Sequence, residues 1–162
     1  MKFNIAFLLI LSYVSFGQTG HSKIKLEVLK KNIIGKEFVF GKWNETGEEE
    51  YDLTYLGSVK TKNGKVYKIL NSVWSWGKTS IHTTNRIFVF NSQNQYLGGY
   101  SISTPSYLPT ELKNGYLIFR NSNEDCDKKI ATKINFNNGI PKHFFRKCDN
   151  KYGDWCDFGE GN

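Results

Sequence analysis

Three histidines, three cysteines, a run of three glutamates and two closely spaced tryptophans are the groups in this chain whose types and spacing could do chemistry. His82 and His143 would serve as general acid and base if the fold brought both to one scissile bond, as in secreted nucleases. Nothing in the local pattern brings them together, and His21 falls at the frayed start of the exported chain. Glu48, Glu49 and Glu50 form a carboxylate cluster. Glycoside hydrolysis, however, needs two carboxylates converging across a cleft from separate strands, so this run reads as a solvated loop. No G-x-S-x-G nucleophile elbow, phosphate loop or dinucleotide fingerprint is present. The stretch G-K-T-S at 77–80 lacks the upstream glycine of a phosphate loop, with Trp76 in its place. No cofactor and no metal are expected, because zinc needs four ligands at suitable spacing and no histidine pair accompanies the cysteines.

Cys126, Cys148 and Cys156 are an odd set, so an exported chain would hold one bridge and one spare thiol, or an intermolecular link. Cys126–Cys148 is the expected bridge. The two flank a hairpin expected around Asn138-Gly139, whose two-residue turn would pair Lys129 with Cys148. A bend in Asp125 to Lys128 is then needed to close the sulfurs. The tight loop between Cys148 and Cys156 is the alternative. Cys156, if free, has no base near it in sequence.

The tryptophans stand in V-W-S-W-G, Val73 to Gly77. Upstream, Asn63-Gly64 signals a type I′ hairpin turn. That turn would place Tyr51 opposite Trp76, Leu53 opposite Trp74 and Tyr55 opposite Ser72. Strand alternation then gathers Tyr51, Leu53, Tyr55, Trp74 and Trp76 on one face. Such a face is either core, since aromatic side chains bury the most area, or a partly exposed surface that stacks on sugars or anchors a protein. Lys78, His82, Asn85 and Arg86 follow Trp76 and would ring it with polar donors. The candidate binding residues are therefore Trp74, Trp76, Tyr51, Tyr55, His82 and Arg86.

The elements that must position these residues follow from periodicity. Residues 22–34 carry apolar positions at 26, 29 and 33, widened by Ile24 and Val28, with Ser22 as cap and Gly35 as stop. From Gly35 onward the period is two. Strands are expected at Glu37–Gly41, Glu50–Gly57, Lys65–Trp76, Asn85–Asn91, Tyr96–Ser103, Gly115–Asn121, Lys129–Phe136 and Lys142–Cys148, separated by turn signals. R-I-F-V-F at 86–90 and Y-L-I-F at 116–119 are apolar on both faces and should be central strands. The acidic, glycine-rich segment from Asp149 to Asn162 reads as irregular. The fold class is thus α+β, one N-terminal amphipathic helix on a mostly antiparallel meander of about seven or eight strands; a small barrel or sandwich is the alternative.

Residues 1–17 have the layout of a secretory leader: Lys2, an apolar run from Ile5 to Leu11, then small residues at Ser15 and Gly17. Residues 18–162 would form one exported, β-rich domain, periplasmic or extracellular, with no transmembrane segment left. The whole chain carries net charge +7, including Lys2. Six of the basic residues lie between Lys128 and Lys147 with no acid among them. That charge permits weak affinity for anionic surfaces but is too dispersed for a nucleic-acid footprint. The expected function is a non-catalytic binding or interaction module for a glycan or another envelope protein. The alternatives are a small secreted hydrolase working through His82, or a structural envelope protein.

Overall fold

The computed structural model describes residues 20–161, so the expected leader lies outside the described residues. Helix α1 (Gly20–Lys31) comes first. Its apolar stripe turns Val28 and Leu29 fully inward, with Ile24 partly buried beside them. The helix stops earlier than the apolar spacing suggests. Asn32 takes a left-handed φ of 52°, which leaves Ile33 and Ile34 exposed. Gly35 then turns the chain toward the sheet and donates its N–H to the Tyr55 carbonyl at 2.9 Å. Ser22 lies inside the helix, not at its cap.

Strands β1 (Glu37–Gly41), β2 (Glu50–Lys60), β3 (Val66–Trp76), β4 (His82–Asn91) and β5 (Tyr96–Ile102) form an antiparallel meander. Three short strands, β6 (Glu111–Lys113), β7 (Tyr116–Arg120) and β8 (Ala131–Asn135), make a separate small sheet. The chain then returns to the large sheet as β9 (His143–Lys147) and β10 (Gly153–Glu160), giving the order β1-β2-β3-β4-β5-β10-β9. The large sheet is open, with β1 and β9 at its edges. Helix α1 packs on one face through Leu53, Tyr55, Leu70, Phe88 and Phe90. The small sheet packs toward the other, sharing a core that includes Leu56, Val59, Ile69, Ile87, Val89, Leu117 and Phe119. The strands apolar on both sides are central, as expected: β4 is the middle strand of the large sheet and β7 of the small one.

Two expectations fail. Asn138-Gly139 does not join paired strands, because β8 pairs with β7 and β9 pairs with β10. The segment after Asp149 is not irregular: β10 fills the place between β5 and β9. The Cys126–Cys148 bridge nevertheless forms, with Cα atoms 4.6 Å apart. Its ends are held by a polar hub instead of a hairpin. Asp127 donates its N–H to the Cys148 carbonyl at 2.9 Å. The Asn121 amide donates to the carbonyls of Asp127, Lys147 and Cys148, and the buried Arg146 donates to the Asn121 Oδ1 at 2.6 Å. Cys156 is free and buried.

The β2–β3 turn also departs from expectation. Lys62-Asn63-Gly64 is a three-residue loop closed by Thr61 and Lys65, and only Gly64 in it has positive φ, at 83°. This shifts the register by one residue. A bulge between Tyr55 and Gly57 shifts it by one more, with Gly57 at φ 119°. The observed partners are Tyr51 with Trp74, Leu53 with Ser72 and Tyr55 with Leu70.

Candidate functional site

The helix-facing side of the large sheet is covered only in part. Across β2, β3 and β4, one row of opposed residues is Tyr55, Leu70 and Phe88, buried beneath α1. The next row is Leu53, Ser72 and Arg86, and the one after it Tyr51, Trp74 and Thr84. Trp76 and His82 close the end of the face. Cover therefore thins toward the helix N-terminus: Leu53 and Tyr55 are core, Tyr51 is 7% exposed, Trp74 is half-buried and Trp76 is 38% exposed.

The rings at this end pack on one another in a row. His21 lies 4.6 Å from Tyr51, Tyr51 stacks on Trp74 at 5.6 Å, Trp74 lies 5.8 Å from Trp76, and Trp76 lies 4.8 Å from His82. Glu49 pins the row. Its carboxylate accepts from the Trp74 Nε1 at 3.1 Å and from the Tyr51 hydroxyl at 3.4 Å, with the His21 Nε2 3.7 Å away. Burial, with the Glu49 charge beside it, pushes the Tyr51 hydroxyl well above its ordinary pKa and keeps it a neutral donor. Trp43 anchors the β1–β2 loop to the same end by donating its Nε1 to the Gly77 carbonyl at 3.0 Å.

Two adjoining clefts lie beside this row. The smaller, about 200 Å³, is lined by His21, Tyr51, Trp74, Thr84 and Arg86, among others. The larger, about 570 Å³, runs along α1 past Leu26 and Lys30 to Tyr96 and the amides of Gln93, Asn94 and Gln95. Lys25, Arg86 and Phe88 line both. The Lys25 ammonium sits 4.0 Å from the centre of the Phe88 ring. Burial, and then the neighbouring Arg86 charge, holds Lys25 below its usual range. Among the described residues neither cation has an ion-pair partner. The joined groove has the size, the aromatic walls and the few convergent polar groups of a small-ligand site, ~300–1,000 Å³ being the usual range.

The sequence-derived residues are thus distributed unevenly. Tyr51, Trp74 and Arg86 line the groove; Trp76 borders it, donating its Nε1 to the Thr84 hydroxyl at 3.3 Å. Tyr55 is 2% exposed and belongs to the core. His82 stacks on Trp76 and has the Ser80 hydroxyl 3.3 Å away. Asn85 is buried and donates toward the Ile102 and Ser103 carbonyls. His143 is on β9, separated from β4 by β5 and β10, and packs against Trp155. His21 belongs to α1 and the aromatic row, not to a frayed end. Glu48 and Glu49 lie in an exposed loop, as expected, and Glu49 also anchors the rings. Lys25, Phe88 and Tyr96 were not singled out from sequence, because their convergence depends on where the helix crosses the sheet. Comparison with known proteins finds no matching family model, curated protein or solved structure.

Proposed function

We propose that this is an exported, non-catalytic binding module that holds a glycan in the groove between α1 and the aromatic row. One observation carries the reading: the helix covers only in part the sheet end where half-buried Trp74 and exposed Trp76 flank buried Tyr51, and that end opens into a groove lined with hydroxyl, amide and cationic side chains. Sugars present apolar C–H faces and polar hydroxyls together, so aromatic walls beside hydrogen-bonding groups suit them. A disulfide-bonded chain fits an oxidising compartment, the periplasm or the exterior. The fixed rings lower the ordering cost of binding, since their rotamers are set by stacking and by Glu49. The test is affinity electrophoresis of the exported chain through gels containing polysaccharides. Retardation that Trp74→Ala abolishes, in a protein that remains folded, supports the reading. Unretarded migration through every polysaccharide, or retardation that Trp74→Ala leaves intact, overturns it.

A further inference from the structure

We propose that the groove selects acidic glycans, seating a sugar carboxylate between Lys25 and Arg86; this rests on the glycan-binding reading above. The charge distribution around the groove is one-sided. The larger cleft is lined by Lys25, Lys30 and Arg86 and by no Asp or Glu. The smaller adds His21 and again no carboxylate. The nearest acid along the row, Glu49, is engaged with the Trp74 and Tyr51 donors. Lys25 reaches the junction from the helix and Arg86 from the central strand, where its sheet neighbours are Ser72 and Ser101. No packing need accounts for an arginine there, because Arg86 is exposed.

Burial chiefly holds Lys25 below its usual range, and the exposed Arg86 beside it adds like-charge repulsion. A carboxylate entering between them relieves that repulsion and accepts charge-assisted hydrogen bonds from both. Tyr96, exposed on the far wall, gives the sugar ring apolar contact. A lipid headgroup shares the anionic chemistry, but membrane docking needs an apolar helix face turned outward. In α1, Val28 and Leu29 are turned into the core instead.

The experiment compares polygalacturonate with its fully methyl-esterified form, which keeps the sugar backbone and masks the carboxylates. Affinity electrophoresis and titration calorimetry on the exported chain should show at least tenfold tighter binding to the acid form. Arg86→Gln and Lys25→Gln should each weaken acid binding about tenfold or more, as expected for losing a hydrogen bond to a charged group. Binding to the ester should fall by much less in both variants. Lys133→Gln, an exposed control on β8 of the small sheet, should change neither. An unchanged near-UV circular dichroism spectrum would show that the variants fold. Equal affinity for acid and ester overturns the charge selectivity while leaving the glycan groove standing. Binding to neither form, together with failure on neutral polysaccharides, overturns both readings. A loss in Lys133→Gln equal to that in Arg86→Gln replaces the seat with diffuse attraction and overturns it. Binding to phosphatidylglycerol vesicles without binding to polygalacturonate also overturns it, in favour of a membrane surface.

Discussion

Replacing Trp74 with alanine separates a core ring from a ligand-facing one. Truncating a fully buried aromatic costs ~3–5 kcal/mol, the sum of lost transfer energy and the cavity left behind. Trp74 is only half-buried, so water fills part of the space and the loss is smaller. Its near-parallel stack on Tyr51, with an interplanar angle of 7°, contributes ~0.5–1.5 kcal/mol beyond area. The hydrogen bond to Glu49 is solvent-exposed and adds little. The expected cost is therefore about 2 kcal/mol, a fall of roughly 6 °C in Tm for a domain of this size. Total stability of roughly 7–20 kcal/mol at ~0.05–0.15 kcal/mol per residue tolerates that loss. Leu53→Ala is the internal standard, because Leu53 is fully buried under α1 and should cost ~2–5 kcal/mol. Urea unfolding followed by far-UV circular dichroism gives both values, and polysaccharide gels give the binding. If Trp74→Ala costs the ~3–5 kcal/mol of a fully buried aromatic, the ring is core and the groove loses its wall. Intact glycan retention in a folded Trp74→Ala would refute the reasoning equally.

Cys156 supplies a pH prediction. Burial, then the Asp154 carboxylate, pushes its thiol up to about 11 from the ordinary 9.0, with Arg146 pulling weakly the other way. The unfolded chain releases that proton first, so this contribution is complete below pH 9 and is lost as pH rises toward 11. Cys156→Ala should show a shallower alkaline decline in denaturation midpoint than the parent protein, and the native thiol should stay unreactive toward a disulfide reagent at pH 8 until the chain unfolds. The Cys126–Cys148 bridge closes a sequence separation of 22 residues, and Cys126→Ser with Cys148→Ser should cost about 3 kcal/mol in the chain-entropy account, measured by urea titration. Asn121→Ala removes the Oδ1 acceptor of the buried Arg146, leaving it Asp154 at 3.5 Å, and takes a side-chain donor from three backbone carbonyls at once. It should cost about 3 kcal/mol or more, exceeding Asn150→Ala at an exposed position in the same titration.

The aromatic face was legible in the sequence even though its register was not. The Asn63-Gly64 turn adds one residue to the loop, and the bulge before Gly57 adds another. Strand side chains alternate with period two, so one slip would have sent Tyr51, Leu53 and Tyr55 to the opposite side from Trp74. Two slips restore the parity, and the five residues share a face with different partners. The bulge has a second effect that explains its place. Beyond it the odd positions of β2 change sides, so Tyr55 points under α1 while Val59 joins the core shared with the small sheet. The groove itself was only half legible. Trp74, Tyr51 and Arg86 lie on consecutive strands and follow from local pairing, whereas Lys25 comes from a helix whose crossing position is set by tertiary packing.

Strand β10 shows most clearly how local propensity misleads. Its sequence G-D-W-C-D-F-G-E carries two glycines and three acids, the residues that sheets ordinarily avoid. Its partner β5 holds Gly98 and Gly99. Gly98 is what lets the two strands meet. A Cβ on Gly98 would lie 2.3 Å from the Gly159 carbonyl oxygen and 2.6 Å from the Phe158 ring, contacts no side chain survives. Phe158 instead lies over the bare backbone and packs on Tyr100 at 5.2 Å, recovering apolar contact that the glycines lack. Each strand alone is penalised, and the penalty vanishes only in the pair. Because β10 separates β9 from β5, the same pairing carries Arg146 into the interior beside Asn121 and Tyr107, where it fixes the disulfide hub. A glycine in a strand pattern therefore marks close approach as readily as it marks an end, and only the partner strand tells the two apart.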